Sequence, residues 1–418
     1  MSKELTIEPR LEPREETGAL PAHTRHHQVV VVGGGSAGLT VAARLRRAPG
    51  SVDIAIVEPS ERHFYQPLWT LAGGGVVDKR ASERPEASLI PRGTTWLQDA
   101  AAEFLPGENA LLTRSGERVT YDALVVAPGI RIDWDAIPGL PEALASGNGV
   151  VSIWSYEHLD RTWETIRDFA GGTAVFTYPA TPIKCPGAAQ KIMYLADDTF
   201  RRSGVRDRTR VVYGSAAPSI YAVPKYAPAL ARVVERRGIE ARYRHNLVAI
   251  RPESKEAVFE QLDTGEQVVL PYDLLHVAPP QSAPAFVQRS PLAGPGGWLE
   301  LDKHTLQHPR WPNVFGLGDA SSLPTSKTGA AVRAQSKVVA ENLQALLAGR
   351  EPAARYDGYT ACPIITGYRR LILAEFDYDL QPQETFPFDQ SKERYSMWLL
   401  KKHGLPAFYW HRMLRGRG

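Results

Sequence analysis

Two cysteines stand alone in a chain of 418 residues, and each is followed by proline: Lys184-Cys185-Pro186-Gly187 and Ala361-Cys362-Pro363-Ile364. Two thiols are too few for a secreted disulfide framework, and no Cys/His cluster has the spacing of zinc ligands, so no metal site is expected and the pair is either inert or redox-active. On composition alone, cysteines buried as small hydrophobes are the commoner case. The surroundings of Cys185 weigh the other way. It precedes the helical run Ala188–Phe200, with Pro186 in the favoured first helical position. A thiolate there gains from the helix dipole and from neighbouring Lys184.

A second pattern lies near the start of the chain. Gly33-Gly34-Gly35-Ser36-Ala37-Gly38 supplies G-x-G-x-x-G between a buried strand, Val29–Val32, and a helix, Ser36–Arg47; the next strand, Val52–Val57, ends at Glu58, twenty residues beyond Gly38. Gly33, Gly35 and Gly38 let backbone approach a pyrophosphate, the N–H groups at Ser36 and Ala37 open a helix N-terminus, and Glu58 can accept hydrogen bonds from a ribose. The bland alternative is a glycine turn that only packs helix on sheet. The fingerprint by itself does not separate FAD from NAD.

Around these residues the composition is that of an ordinary globular α/β protein, long enough for two or three domains. Lys and Arg number 49 against 46 for Asp and Glu, so the net charge of +3 is too small for a nucleic-acid footprint, and no nucleic-acid partner is expected. No apolar run reaches the ~18 residues of a spanning helix. The segment 1–27 carries Glu4, Glu8, Glu12, Glu15 and Glu16 with no apolar stretch, so it reads as a flexible arm and not a secretory signal. At the other end, 391–418 holds seven Lys/Arg against Glu393, a charge of +6, interleaved with Trp398, Leu399, Trp410 and Leu414 and interrupted at Gly404-Leu405-Pro406. That is the pattern of two short amphipathic helices lying on an anionic membrane; packing on the protein or on a second subunit, as in a homodimer, is the alternative.

Two further segments, Tyr121–Gly129 and Val314–Asp319, resemble the secondary FAD signatures of glutathione-reductase-like flavoproteins with two dinucleotide-binding domains. The resemblance implies two Rossmann-like domains: FAD-binding from 28–130 and 292–350, a second from 131–291, and a C-terminal region, 351–418, facing flavin, quinone and membrane. It places Pro128 and Gly129 beside FAD and Asp319 on its ribityl chain, with the helix beginning near Gly329 aimed at the flavin. A helix cap is the alternative for Asp319. The second domain lacks the expected NAD(P)H fingerprint. Strand Gly172–Thr177 runs into Tyr178-Pro179-Ala180-Thr181-Pro182, where prolines remove donors, and strand Arg210–Tyr213 runs into Gly214-Ser215-Ala216-Ala217-Pro218.

Over nearly the whole chain the sequence resembles sulfide:quinone oxidoreductases, in the branch of the mitochondrial enzyme and its bacterial relatives. The matching stretches are His63–Thr70, Ile183–Leu195, Leu323–Thr328 and Tyr356–Tyr378. The resemblance implies a Cys185/Cys362 disulfide, or a sulfur-bridged form of it, that sulfide opens to leave a persulfide on Cys362. The Cys185 thiolate then donates to FAD, and a quinone such as ubiquinone takes the electrons. Thiol, sulfite, cyanide or sulfide would accept the sulfane sulfur. Other branches have a third cysteine, sometimes linked to the flavin; with two, non-covalent FAD is expected. Gln66, Ala101, Lys327, Thr328 and Gly329 join the cofactor site by the same resemblance, a solvated lysine being the alternative for Lys327. His63 and His245 are read as structural. The expected location is peripheral, on the cytoplasmic face of a bacterial inner membrane. Rival readings are an NADH:quinone oxidoreductase of the same architecture and a non-catalytic flavoprotein scaffold.

Overall fold

The runs Val29–Val32 and Ile54–Val57 are buried along their whole length, as central strands of a parallel sheet must be. They belong to a computed structural model that describes residues 24–418. Strand β1 (Thr24–Val32) is followed by helix α1 (Ser36–Arg47), β2 (Ile54–Val57), β3 (Thr95–Leu97), β4 (Ala101–Leu105), β5 (Ala110–Thr113) and β6 (Arg118–Val126). Their sheet order is β3-β2-β1-β6-β5-β4, parallel from β3 to β6 and antiparallel in the β6-β5-β4 meander. Thr24–His27 pair in register with Arg118–Tyr121, so the expected flexible arm is corrected at its end: these four residues are strand, held also by Arg25–Glu117 at 2.7 Å. The rest of that arm, 1–23, lies outside the described residues.

The second sheet comes from the middle of the chain: β7 (Val150–Val151), β8 (Gly172–Tyr178), β9 (Thr209–Ser215), β10 (Glu240–Tyr243) and, after an antiparallel trio β11 (His245–Arg251), β12 (Glu256–Gln261) and β13 (Gln267–Pro271), the returning β14 (Leu274–His276). Its order is β7-β14-β8-β9-β10, all parallel. Helix α2 (Ala188–Arg202) crosses from β8 to β9. The chain then returns to the first sheet as β15 (Val314–Gly316), which pairs with β6, and α3 (Gly329–Leu347) packs against α1.

A hairpin, β16 (Thr360–Gly367) and β17 (Arg370–Phe376), lies along α2. Its far end is pinned by charge. Asp197, fully buried on α2, accepts from Arg201, Arg206 and Arg237, and Arg237 also donates to Asp198 and to the Thr366 carbonyl at the end of β16. The remaining Asp198 oxygen accepts from the Tyr368 N–H. This network fixes β16 in register on α2.

The C-terminal segment begins with α4 (Tyr395–Leu399) and ends with α5 (Leu405–His411). The expected break between them is absent. Leu400–Gly404 continues the helix as one wide π turn, and Pro406 sits in the first turn of α5, where a missing N–H does little harm. Met397, Trp398, Tyr409, Trp410, Met413 and Leu414 are buried in the core of the first sheet. Removing one charge from a buried network leaves the others uncompensated, at about 3 kcal/mol or more. We therefore expect Asp197→Leu to lower the urea midpoint of the full chain by a corresponding amount, which intrinsic fluorescence checks.

Candidate active site

The two cysteines, 177 residues apart in sequence, meet with their Sγ atoms 3.8 Å apart and unbonded. Cys185 lies in the loop between β8 and α2, two residues before the helix cap Gly187. Pro186 therefore stands before that cap, not in the first helical position. Cys185 has φ +49°, a left-handed backbone that costs about 1–3 kcal/mol for a residue with a Cβ and concentrates at functional sites. Its N–H donates to the Lys327 carbonyl at 2.8 Å, and its carbonyl accepts from Ala188. Cys362 is fully buried in β16. A Cβ built on Gly187 would lie 2.6 Å from the Cys362 sulfur, so only glycine there lets the two thiols approach.

Charge distinguishes the two sulfurs. Lys191, one turn into α2 and almost inaccessible, places Nζ 3.0 Å from Cys185 Sγ. The hydrogen bond from Cys362 and the Lys191 ammonium hold Cys185 well below the ordinary thiol value, against the burial that would raise it. Cys362 is pushed well above that value by the Cys185 sulfur and by burial. Burial works against the Lys191 charge, but the two sulfurs outweigh it and raise its pKa. Lys184, the expected neighbour of the thiolate, points elsewhere: Nζ donates to Gln66 Oε1 at 2.6 Å. Lys401, from the wide turn of the tail, is buried with Nζ on the Pro67 carbonyl. Burial first and the nearby Lys191 second push it down to about 7. The sequence signal for Lys191 is a charged residue on a helix face whose other members, Ala188, Ile192 and Leu195, are buried.

Most of the other expected residues sit where strands of the first sheet end and where α1 and α3 begin. Lys327 donates to the Ser321 carbonyl and lies over Trp298, and burial lowers it to about 8. It is not the solvated surface residue of the alternative. Lys184 is lowered to about 8 in the same way. Asp319 follows β15, and burial raises its carboxyl while Lys184 and Lys327 oppose the shift. It caps no helix; Thr328 caps α3, accepting from the Ala331 N–H, and Gly329 opens that helix. Glu58 follows β2 with Oε2 on the Gly34 N–H at 2.7 Å and Oε1 on the Ser60 N–H at 2.8 Å. Ala101 opens β4 in the segment that leads on from β3, beside β2. Of the two histidines, His63 is buried between Glu86 and Tyr409, and His245 donates to the Tyr243 carbonyl.

These residues fit a dinucleotide. Gly33 has φ +102° and a Cβ there would lie 2.3 Å from the Ala127 carbonyl oxygen, whereas a Cβ on Gly35, Gly129 or Gly329 would meet nothing within 4 Å. The turn is thus tight behind and open in front. The α1 N-terminus has no capping side chain, which leaves the donors of Ser36, Ala37 and Gly38 for an anion. A Cβ on Gly38 would lie 1.9 Å from the Gly33 carbonyl oxygen, so α1 packs directly on the turn.

A glycine turn fit for a dinucleotide and a charge-poised thiol pair in one chain are the parts of a dithiol oxidoreductase. The family profile of pyridine nucleotide-disulphide oxidoreductases matches residues 27–168. The chain is 49% identical over 401 residues to the mitochondrial sulfide:quinone oxidoreductase of Mus musculus, covering 96% of this chain and 89% of that protein. The mitochondrial enzyme of Dictyostelium discoideum is 46% identical, covering 93% and 86%. The crystal structure of the sulfide:quinone oxidoreductase of Aquifex aeolicus shares the fold at TM-score 0.80 with 19% identity, covering 94% of this chain and 92% of that one. The chain belongs to the sulfide:quinone oxidoreductase family.

If Lys191 sets the Cys185 thiolate, Lys191→Met must make alkylation of the reduced protein pH-dependent. Iodoacetamide should modify wild-type Cys185 at a nearly constant rate to a pH well below the ordinary thiol range. In the variant the pKa rises, so the rate at that pH falls about tenfold per unit and recovers only on the alkaline side. Peptide mapping at a series of pH values checks this.

Proposed function

We propose that this chain oxidises hydrogen sulfide at the Cys185/Cys362 pair and passes two electrons through non-covalently bound FAD to a membrane quinone such as ubiquinone. The carrying observation is the 3.8 Å approach of two thiols of opposite electrostatic character beside Lys191. Hydrosulfide attacks the oxidised pair. One S–S bond forms at Cys362 and the Cys185–Cys362 bond breaks. The better leaving group is the sulfur with the lower pKa, so Cys185 departs as thiolate, paired with Lys191, and Cys362 keeps the persulfide. Transfer of the terminal sulfur to a nucleophile (a thiol, sulfite, cyanide or a second sulfide) leaves Cys362 reduced. Flavin, when bound, supplies the two-electron acceptor that returns the dithiol to the disulfide, and two protons accompany the pair to the quinone.

Gly33, Gly35, Ser36, Ala37 and Gly38 hold the diphosphate in this reading, Glu58 and Ala101 the adenosine, and Pro128, Gly129 and Asp319 the ribityl side. Gln66, Lys327, Thr328 and Gly329 stand at the flavin end. The cofactor domain takes its strands from both sides of the middle domain, and the tail completes it. In the middle domain the loop after β8, where a second nucleotide turn would stand, carries Pro179 and Pro182 and instead brings Cys185 to the Lys327 carbonyl. That favours sulfide over NADH as reductant.

Attachment to a membrane rests on fewer residues than the tail's composition suggests. No helix among the described residues is long and apolar enough to cross a bilayer. The outward side of the tail carries Tyr395 and Leu399, 47% and 40% exposed, with Lys392, Arg412, Arg415 and Arg417. A basic, partly apolar helix face of that kind suits an anionic lipid surface. The relatives in mouse and Dictyostelium are named as mitochondrial, so a bacterial inner membrane is not carried forward.

Anaerobic stopped-flow mixing tests the chemistry. Sulfide should bleach the oxidised flavin, NADH should not, and both Cys185→Ser and Cys362→Ser should lose the response; rapid bleaching by NADH would move the protein to the dehydrogenase reading. For the membrane, truncation after Gln390 would strip Trp398, Tyr409 and Trp410 from the core, so a surface variant is cleaner. Tyr395→Glu with Leu399→Glu should bind phosphatidylcholine–phosphatidylglycerol vesicles about tenfold more weakly in sedimentation while the flavin spectrum stays unchanged. Undiminished binding would remove that face from the membrane.

A further inference from the structure

The tail touches the candidate site at two places. At one, Lys401 reaches the Pro67 carbonyl beside the thiol pair. At the other, the Tyr409 hydroxyl lies 2.7 Å from Ser36 Oγ, at the first residue of the helix that faces the diphosphate, and 2.5 Å from His63 Nε2. His63 in turn bonds Glu86 Oε2 through Nδ1 at 3.0 Å. Glu86 is buried to the last percent, and its other oxygen, Oε1, has no partner; it lies 2.5 Å from where a Cβ on Gly34 would stand, directly under the glycine turn. The Tyr409 ring stacks on Tyr65 at 4.2 Å, and Trp410 packs edge-on against His63. Beyond them the chain end lies flat on α1: a Cβ on Gly416 would come within 2.8 Å of the Ala43 carbonyl, and the Arg44 guanidinium donates to the Gly418 carbonyl.

The Tyr409 contacts include no bond to either thiol, whereas Lys401 adds its charge to the field that lowers Cys185. The shared feature of the contacts is position: the two anchor points of the tail are the two places that a flavin dinucleotide must connect. We infer that the C-terminal segment is a latch over the bound cofactor, with Tyr409 as its bolt and the His63–Glu86 pair as the seat. Tyr409 bonds the loop that holds the diphosphate, so the cofactor leaves only when the hydroxyl releases Ser36 and the segment from Lys401 to Gly418 lifts. By reciprocity, bound cofactor must hold that segment closed. Tyr409 is a positioning residue in this scheme, acting through Ser36. The inference rests on flavin binding at the glycine turn and is independent of the membrane reading.

The test uses full-length holoprotein and reads cofactor release, not turnover. Excess apo-flavoprotein is added as a trap, and release is followed by the activity the trap gains as it takes up flavin. Tyr409→Phe, which keeps the ring stack and removes only the hydroxyl, should release flavin about tenfold faster than wild type. A second measurement needs no variant and so survives any misfolding of Tyr409→Phe. Limited trypsin digestion should cut at Lys402, Arg412 and Arg415 markedly more slowly in flavin-loaded than in flavin-stripped wild type. Release at the wild-type rate from a folded Tyr409→Phe, or tail cleavage at equal rates with and without flavin, would overturn the latch. A failure of flavin to bind wild type at all would instead refute the cofactor site beneath it.

Discussion

Everything in the active site depends on keeping one ammonium and one thiolate together away from water. Lys191 is almost inaccessible and Cys185 half-buried, and each charge is stabilised there by the other. That pairing makes the two sulfurs unequal, and inequality gives the exchange a direction: one sulfur is fit to leave, the other to keep the incoming atom. The constraint then spreads outward. Lys191 is fixed on α2, so Cys185 must come back to it from the preceding loop, and the loop does so through a left-handed residue held by the Lys327 carbonyl. Cys362 must arrive from a strand 177 residues later, which requires β16 to lie on α2 in one register. The Asp197–Arg237 network sets that register at the opposite end of the same helix.

Much of this was legible because local spacing carries it. The distance from Gly38 to Glu58 defines a strand, helix and strand, and the bond from the Gly34 N–H to Glu58 is the direct product of that spacing. The proline-rich loop before Cys185 marked the place where a nucleotide turn is missing. What misled was adjacency. Lys184 is next to Cys185 in sequence, but the loop turns its side chain to Gln66. Lys191, six residues on, is brought back by the first turn of α2. In the tail, adjacency of apolar and basic residues left two partners open, lipid or protein, and for three residues the structure gives the protein. Trp398, Trp410 and Leu414 have the composition of a lipid-facing surface, but composition does not say which neighbour an apolar face will find, and here the core was nearer. His63 fared better, since a histidine among aromatic neighbours is most often satisfied by them, as it is here by Glu86 and Tyr409.

The four lysines of the site give it a further property. Lys191 keeps its proton, whereas Lys184 and Lys327 are lowered to about 8 and Lys401 to about 7. Asp319 opposes the shifts of Lys184 and Lys327, the two sulfurs act on Lys191 and Lys401, and burial raises the Asp319 pKa. Such a group of lysines is cationic on the acid side of neutrality, which suits the approach of hydrosulfide to the thiols. As pH rises through 7 to 8 the depressed lysines shed their protons in turn, while the Lys191–Cys185 pair persists. Attraction of the anion and activation of the thiolate thus reside on different side chains. The first declines with rising pH while the second holds, so the two can be separated by titration even though they act at one site.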